Sequence, residues 1–389
     1  MDSLLEHYHK LLKETDTSFL RYKFFKINWN NRLIGLTGPR GVGKTTLVLQ
    51  HIKRDLNPEE TLYVTAEHFY FADHRLFDLA DLFVKRGGKY LFIDEIHKYK
   101  DWSQEIKLIY DYFPKLNVVF TGSSILDIHK GRADLSRRVI MNSMQGLSFR
   151  EYLQFFHNIE TQIYSLDEIL AHKPEIPGVE HPLPLFENYL QQGYYPFAKF
   201  DDYNIRLQQI VNQTLEGDIP LYAEMNMALG RKLRQMLAII AKSVPFKPNF
   251  TKIAGLLGVS RNNISDYCLL MEETGLISQL RESAGGIRSL GKVEKVYLDN
   301  TNLIFALASE NANIGNIRET FFINQLRLNN NIVSSPVSDF EIDGMTFEVG
   351  GKSKEQKQIQ GVEQGFVVKD NIEIGYANVI PLWHFGLMY

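Results

Sequence analysis

Cysteine is scarce in this chain: among 389 residues there is one, Cys268. A lone thiol closes no internal disulfide and builds no thiolate metal cluster. Long apolar runs are missing as well. No stretch of eighteen apolar residues occurs, so a membrane span is not expected. Neither sign of charge prevails, with 43 Lys and Arg against 46 Asp and Glu and a formal net charge of −3. A generally polybasic nucleic-acid binder is thereby excluded. The opening "MDSLLEHYHKLLKETD" is charged and amphipathic and lacks the apolar core of an export signal. Together these absences lead to the expectation of a cytoplasmic protein without membrane partners. No low-complexity stretch or internal repeat stands out.

What is present is the composition of a folded protein, 44% hydrophobic and 23% charged. The length accommodates two or three domains with a core each. Charge is spread unevenly: between Arg231 and Lys295, eleven basic residues stand against five acidic ones. A basic segment inside an acidic chain points to a phosphate-facing surface.

The strongest motif lies early. "LIGLTGPRGVGKTTLVLQHI" carries G-x-x-x-x-G-K-T after an apolar run, Leu33 to Leu36, and before a helical pattern from Thr46 to Ile52. Strand, glycine-rich loop and helix are the context a phosphate-binding loop needs. The glycines let backbone N–H groups converge on a β-phosphate, helped by the helix N-terminus. The candidate ATP site is therefore Gly38, Pro39, Arg40, Gly41, Val42, Gly43, Lys44, Thr45 and Thr46. Lys44 is expected to reach the β- and γ-phosphates, and the Thr45 hydroxyl to ligate Mg2+.

"KYLFIDEIHKY" supplies the partner motif: an apolar strand run, Leu91 to Ile93, ending in Asp94 and Glu95. Asp94 at the strand tip is expected to hold Mg2+ through water, and Glu95 to activate the attacking water as general base. A third run, "NVVFTGSS", ends in the hydroxyls of Thr121, Ser123 and Ser124. Ser123 is the candidate sensor of the γ-phosphate; the competing reading is a helix-capping serine. "GRADLSRRVI" offers Arg137 and Arg138 as a finger reaching a neighbouring subunit's nucleotide, or as a solvated pair. The runs "RLIGLTG", "TLYVTAE", "KYLFIDE" and "NVVFTGS" alternate with helical stretches, which predicts a parallel sheet with helices on both faces.

"GPRGVGKTT", "LFIDEIHKYKDW", "VVFTGSS" and "GLSFREYL" together resemble the prokaryotic AAA+ ATPases in which an AAA-type domain precedes a C-terminal domain of unknown function. The resemblance covers nearly the whole chain and is most specific over the first 155 residues. It implies nucleotide roles for Lys44, Thr45, Asp94 and Glu95, with ATP and Mg2+. It implies a trans arginine at Arg138 in a homo-oligomer, with Arg137 standing where the family has glycine.

Residues 1–155 are thus expected to form the AAA+ domain and 156–228 a helical connector or lid. Within the latter, the proline-rich 172–186 is expected to be loop. Asp218 in "LEGDIP" reads as a helix-ending acid before a proline turn or as a functional group. Residues 229–300 predict a winged helix-turn-helix. Ile253, Leu256 and Leu257 give one apolar helix face, "GVS" a tight turn, and Ile264, Tyr267, Leu270 and Met271 a second face. Lys252, Arg261, Asn262 and Asn263 are the candidate DNA contacts; a protein-docking module is the competing reading.

Residues 301–389 predict an α/β domain similar to the restriction-endonuclease-like nucleases. In "VSDFEIDGMTFEVGGKSKEQKQI" the "DG" pair signals a hairpin that sets Asp339 opposite Glu348. With Glu319 from the preceding helix, these carboxylates could meet around one Mg2+. The lysine such nucleases place two residues after the acid is Gly350 here, with Lys352 displaced by two more positions. The expectation is a non-cleaving site, unless the Gly350–Gly351 pair bulges the strand and returns Lys352. The function predicted is ATP binding with Mg-dependent hydrolysis, coupled to DNA through the winged helix. The alternatives are an ATP-gated nuclease and a non-hydrolysing nucleotide switch that binds a protein partner.

Overall fold

The structure is a computed structural model that describes residues 1–122, 135, 137–222, 228–242, 249–283, 292–308 and 313–389. The chain divides into two compact units, Met1–Gly146 and Leu147–Tyr389.

In the first unit, β1 (Leu33–Thr37), β2 (Thr61–Thr65), β3 (Tyr90–Asp94), β4 (Asn117–Gly122) and β5 (Ile140–Ser143) form one sheet in the order β2-β3-β4-β1-β5. Every pairing is parallel. The sequences of β1 to β4 are near-continuous apolar runs, buried along almost their whole length. Among the described residues, helices α1 (Asp2–Glu14), α2 (Lys44–Asp55), α3 (Leu76–Lys85) and α4 (Trp102–Tyr112) flank this sheet. Leu4 of α1, Leu79 and Phe83 of α3 and Ile106 and Ile109 of α4 share one core with Leu62, Leu91, Ile93, Val118 and Phe120. On the other face, His51 of α2 meets the Phe92 ring edge-on at 6.2 Å between centroids. β5 went unread in the sequence because it is an edge strand whose residues are only partly covered.

Parallel strands all end at the same edge of the sheet. The glycine loop after β1, the acidic pair at the tip of β3 and Thr121 near the end of β4 therefore share that edge, with β4 lying between β1 and β3.

The second unit begins with helix α5 (Phe149–His157), closed by a capping box in which Ser148 and Glu151 exchange hydrogen bonds. Helices α6 (Leu183–Gln192), α7 (Tyr203–Gln213), α8 (Ala228–Lys242), α9 (Phe250–Leu257) and α10 (Arg261–Glu273) follow. The hairpin β6 (Ile277–Arg281) and β7 (Val293–Leu298) comes next, then α11 (Thr301–Ala308) and α12 (Ile314–Leu326). A mixed sheet closes the chain: β8 (Ile332–Ser334), β9 (Phe340–Ile342), β10 (Met345–Gly350), β11 (Gly365–Lys369) and β12 (Val379–Pro381). Its order is β12-β11-β10-β9-β8, antiparallel from β8 to β10 and parallel from β10 to β12.

Several expectations are corrected here. The two compact units meet at Gly146 and Leu147, and Ser148 and Arg150 both donate to the Tyr389 carbonyl within the second. The stretch read as a separate connector packs into the C-terminal core, with the Phe186 ring 4.8 Å from that of Phe321 and Tyr164 donating to the Leu387 carbonyl. Within 172–186, loop gives way to helix at Leu183, since prolines are accepted in a first helical turn. Asp218 does not end a helix: it is buried in a π-turn, Thr214–Asp218, that runs on into the helical turn Ile219–Tyr222. Leu256 does not join the apolar face of Ile253 and Leu257, for it is 65% exposed.

Candidate nucleotide site

Three glycines shape the loop after β1. Gly43 sits at φ 99°, ψ 24° and caps α2, a conformation that costs a side-chain-bearing residue dearly. At Gly38 a Cβ would lie 2.1 Å from the Met144 carbonyl oxygen, so only glycine fits. Gly41, also at positive φ, is exposed on the outside of the loop, as is Thr46 at the start of α2. Pro39 and Arg40 are half-exposed and Val42 is buried. Helix α2 starts at Lys44, so its first backbone N–H groups point out of the helix at the loop's mouth, and the helix dipole adds positive potential there. Lys44 is only 5% exposed, and its ammonium donates to the carbonyls of Gly38 at 2.8 Å and Pro39 at 2.9 Å.

Asp94 is the hub. Its Oδ2 accepts hydrogen bonds from Thr45 Oγ1 at 2.7 Å and from the Tyr63 hydroxyl at 2.7 Å. Its Oδ1 accepts from Thr121 Oγ1. Burial first, then the neighbouring Asp94 charge, pushes the Tyr63 hydroxyl far above its ordinary pKa, so it stays a donor. The Thr45 hydroxyl and the Asp94 carboxylate are hard oxygen donors in direct contact, a donor set that suits Mg2+. Glu95 follows at φ 52°, ψ 43°, and its N–H donates to Thr121 Oγ1 at 3.2 Å. The left-handed turn separates the Glu95 side chain from the strand direction of Asp94. The carboxylate comes within 3.4 Å of the His97 ring, and the His97 side chain is buried.

Arg138 lies at the surface and makes a two-pronged pair with Asp111, Nε to Oδ1 at 3.1 Å and Nη2 to Oδ2 at 3.0 Å. Ser123 lies outside the described residues. Thr121, grouped with it in the sequence, is the hydroxyl that meets Asp94. Tyr63 went unread, although it stands two residues before the end of the strand that pairs with β3 and shares a face with Thr65.

The first unit is thus a parallel five-stranded sheet with a glycine loop and an acidic pair at one edge. Residues 30–153 match the family model described as an AAA domain. Residues 183–313 match the model of a domain of unknown function. An uncharacterized protein of Methanocaldococcus jannaschii is 25% identical over 316 residues, covering 75% of this chain. The chain spans 66% of that relative's length, just short of two thirds. Among solved structures, a Walker-type ATPase of Pyrococcus abyssi superposes with a TM-score of 0.43 at 12% identity, over 78% of this chain and 95% of that one. PCH-2 of C. elegans gives a TM-score of 0.27 at 15% identity, over 70% of this chain and 66% of its own.

The second cluster of interest is acidic. Asp343 and Gly344 take φ 49° and 84°, the two left-handed residues of a tight hairpin. Pairing of Ile342 with Met345 and Phe340 with Phe347 sets Asp339 opposite Glu348, as the register predicts. Lysines pair with all three of the carboxylates Glu319, Asp339 and Glu348. Lys295 Nζ, from β7, is 3.0 Å from both Glu319 Oε2 and Asp339 Oδ1. Tyr297, on the same strand face, donates to Glu319 Oε2 at 2.6 Å. Glu348, its side chain 1% exposed, meets Lys354 Nζ at 2.7 Å through Oε1. Among the described residues no group of three or more His, Cys, Asp or Glu side chains could hold a metal ion.

Burial and the Asp339 charge push Glu319 above the usual carboxylate range, with Lys295 opposing them. Burial disfavours the Lys295 ammonium, but Glu319 and Asp339 outweigh it and hold its pKa above normal. Lys352 is exposed and does not turn back; the lysine that returns is Lys354. Gly350 makes room for it, since a Cβ there would meet the Lys354 stem at 2.5 Å. Lys295 and Tyr297 were legible in "KVEKVYL" as alternate residues of one strand face, but nothing in the sequence said which helix they would meet.

Of the DNA candidates, Lys252 on α9 and Arg261 and Asn262 at the start of α10 are exposed, and Asn263 is half-exposed. Ser260 caps α10 by accepting from the Asn263 N–H, and its hydroxyl donates to Asn263 Oδ1. Gly258, at φ 59°, makes the turn between the two helices.

Proposed function

We propose that the first unit binds ATP with Mg2+ and hydrolyses it. The observation that carries this reading is the contact of Thr45, from the glycine loop, with Asp94, with Glu95 next in the chain. Mg2+, when bound, supplies charge neutralisation at the phosphates. The chain's own residues do the rest. The loop N–H groups and Lys44 bind and orient the phosphates, Thr45 and Asp94 offer the metal ligands, and Glu95 takes the proton from the attacking water. In this reading Ser123 senses the γ-phosphate and Arg138 serves as a finger once it exchanges Asp111 for a neighbouring subunit's nucleotide.

We read α8 to α10 with the β6–β7 hairpin as a winged helix that engages duplex DNA through Lys252, Arg261, Asn262 and Asn263. The local basic excess and the exposure of these side chains support it. The C-terminal sheet is read as a nuclease-like fold that does not cleave. The lysine partners of Asp339, Glu319 and Glu348 favour that reading over an ATP-gated nuclease.

Calorimetric titration with MgATP tests the nucleotide site. Wild type is expected to bind and Lys44→Ala to lose binding; equal affinity in the two would overturn the assignment. Stimulation of phosphate release by duplex DNA tests the coupling. Turnover indifferent to DNA, in a protein that retards no duplex at low salt, would favour a switch with a protein partner.

A further inference from the structure

Arg21 belongs to no motif, yet it is buried and its guanidinium reaches three backbone carbonyls. Nη1 donates to Val42 O at 2.6 Å, and Nη2 donates to Gln145 O and Gly146 O at 2.8 Å each. Val42 lies inside the phosphate loop; Gln145 and Gly146 are the last two residues of the first unit. The same exit segment touches the loop at its other end. Met144 N donates to Thr37 O at 2.8 Å, and Gly38 passes so close to the Met144 carbonyl that no side chain fits. Residues 144–146 are therefore tied to both ends of the phosphate loop, directly at Thr37 and Gly38 and through Arg21 at Val42.

The chemistry of a peptide plane makes that fastening consequential. In a trans peptide the carbonyl of one residue and the N–H of the next point in opposite directions. Holding the Val42 carbonyl toward Arg21 turns the Gly43 N–H away from Arg21. Gly43 directly precedes Lys44 and caps α2, so this N–H belongs to the set that would receive a phosphate. A guanidinium suits the task because it is always charged and offers five donors in a fixed fork, enough for three carbonyls at once. A lysine ammonium is a point charge on a flexible stem and holds such a set less rigidly.

We propose that Arg21 is a positioning residue for the phosphate loop and that it couples nucleotide binding to the exit segment 144–146. The proposal rests on the ATP reading of the loop. A nucleotide that fixes the Gly43 N–H fixes the Val42 carbonyl, and through Arg21 the carbonyls of Gln145 and Gly146. Coupling of this kind is reciprocal: strain placed on 144–146 changes nucleotide affinity by the factor with which nucleotide changes the segment. Leu147, the next residue, donates its N–H to Tyr194 O at 2.7 Å, so its amide reports on the residue that follows the segment.

The test uses the full chain as wild type, Arg21→Met and Arg21→Lys, with Mg–ATPγS as probe. Three readings are taken: affinity by calorimetry, amide exchange of residues 144–147 with and without nucleotide, and the thermal midpoint. Wild type is expected to bind and to slow exchange at Met144 and Leu147. Arg21→Met is expected to bind about ten-fold more weakly, the scale of a typical coupling, and to lose the nucleotide response at 144–147. Arg21→Lys should recover part of both. A residue that only supports the fold would lower the thermal midpoint and leave the exchange response intact, and that result would overturn the proposal. So would nucleotide binding by wild type with no change at 144–147. If Arg21→Met does not fold, Arg21→Lys carries the same comparison. Wild type that binds no nucleotide overturns the ATP reading itself, a result separate from the other two.

Discussion

Thr45 donates its hydroxyl to Asp94 across 2.7 Å, joining residues 49 positions apart. That hydrogen bond joins the two ends of the nucleotide reading, because one partner follows the glycine loop and the other ends a strand two places away in the sheet. Asp94 is 5% exposed and carries two further donors, Tyr63 and Thr121, so its carboxylate is held in one orientation.

Tyr63→Phe isolates one of those donors without altering the ring. A hydrogen bond to a charged, buried acceptor contributes about 1.5–3 kcal/mol. The variant is expected to lose stability on that scale in urea unfolding, with the slope unchanged. An unchanged midpoint would mean that Tyr63 does not help to hold Asp94.

Lys295→Met removes the ammonium between Glu319 and Asp339 and leaves a buried and a half-buried carboxylate facing each other. Breaking a buried pair from one side typically costs about 3–5 kcal/mol. The loss should grow as pH rises. Glu319 already has a raised pKa in the folded protein, so folding favours its protonated form, and stability falls as pH climbs through that raised value. Denaturant midpoints of wild type and variant across pH 5 to 8 check this; a difference that shrinks toward pH 8 would contradict it.

His384 gives the opposite pH sign. Burial, reinforced by nearby His172, drives its pKa down to about 3. Its Nδ1 has no hydrogen-bond partner. Because the folded state favours the neutral ring, stability is full above the ordinary histidine value near 6.5 and is lost as pH falls toward 3. One such group contributes a slope of up to about 1.4 kcal/mol per pH unit in that window. His384→Leu, which cannot titrate, should flatten the acid limb of the stability profile by that amount. An identical limb in both proteins would show that other groups govern it.

Much of this was legible in the sequence because it is local. The glycine loop, the acidic pair and the DG hairpin each depend on a few adjacent residues whose backbone demands are specific, and the register of the hairpin set Asp339 opposite Glu348. What escaped depends on partners far apart in the chain. Lys295 reaches Asp339 from 44 positions away, and Arg21 reaches Gly146 from 125 positions away. Neither lysine nor arginine signals its acceptor by spacing. Lys354 was overlooked for a different reason: strand geometry puts residue 352 on the face of Glu348, and only the turn after Gly350 brings residue 354 there instead. The helical start at Leu183 was hidden by flanking prolines, which break helices in their middle and begin them at their ends.

Lys252→Ala combined with Arg261→Ala tests the nucleic-acid surface. If both side chains sit on phosphates, duplex affinity should fall and the dependence of log affinity on log salt should flatten by about two units, near 0.9 per contact removed. Protein and variant that retard a duplex equally at low salt would remove these residues from the interface.

The central claim is that Glu95 activates water in a site built by Lys44, Thr45 and Asp94. Single-turnover phosphate release from MgATP, comparing wild type with Glu95→Gln, tests it most directly. Both proteins are expected to bind ATP, and the variant to release phosphate at least about a hundred-fold more slowly, the usual minimum for loss of a general base. Equal release rates in the two proteins would contradict it.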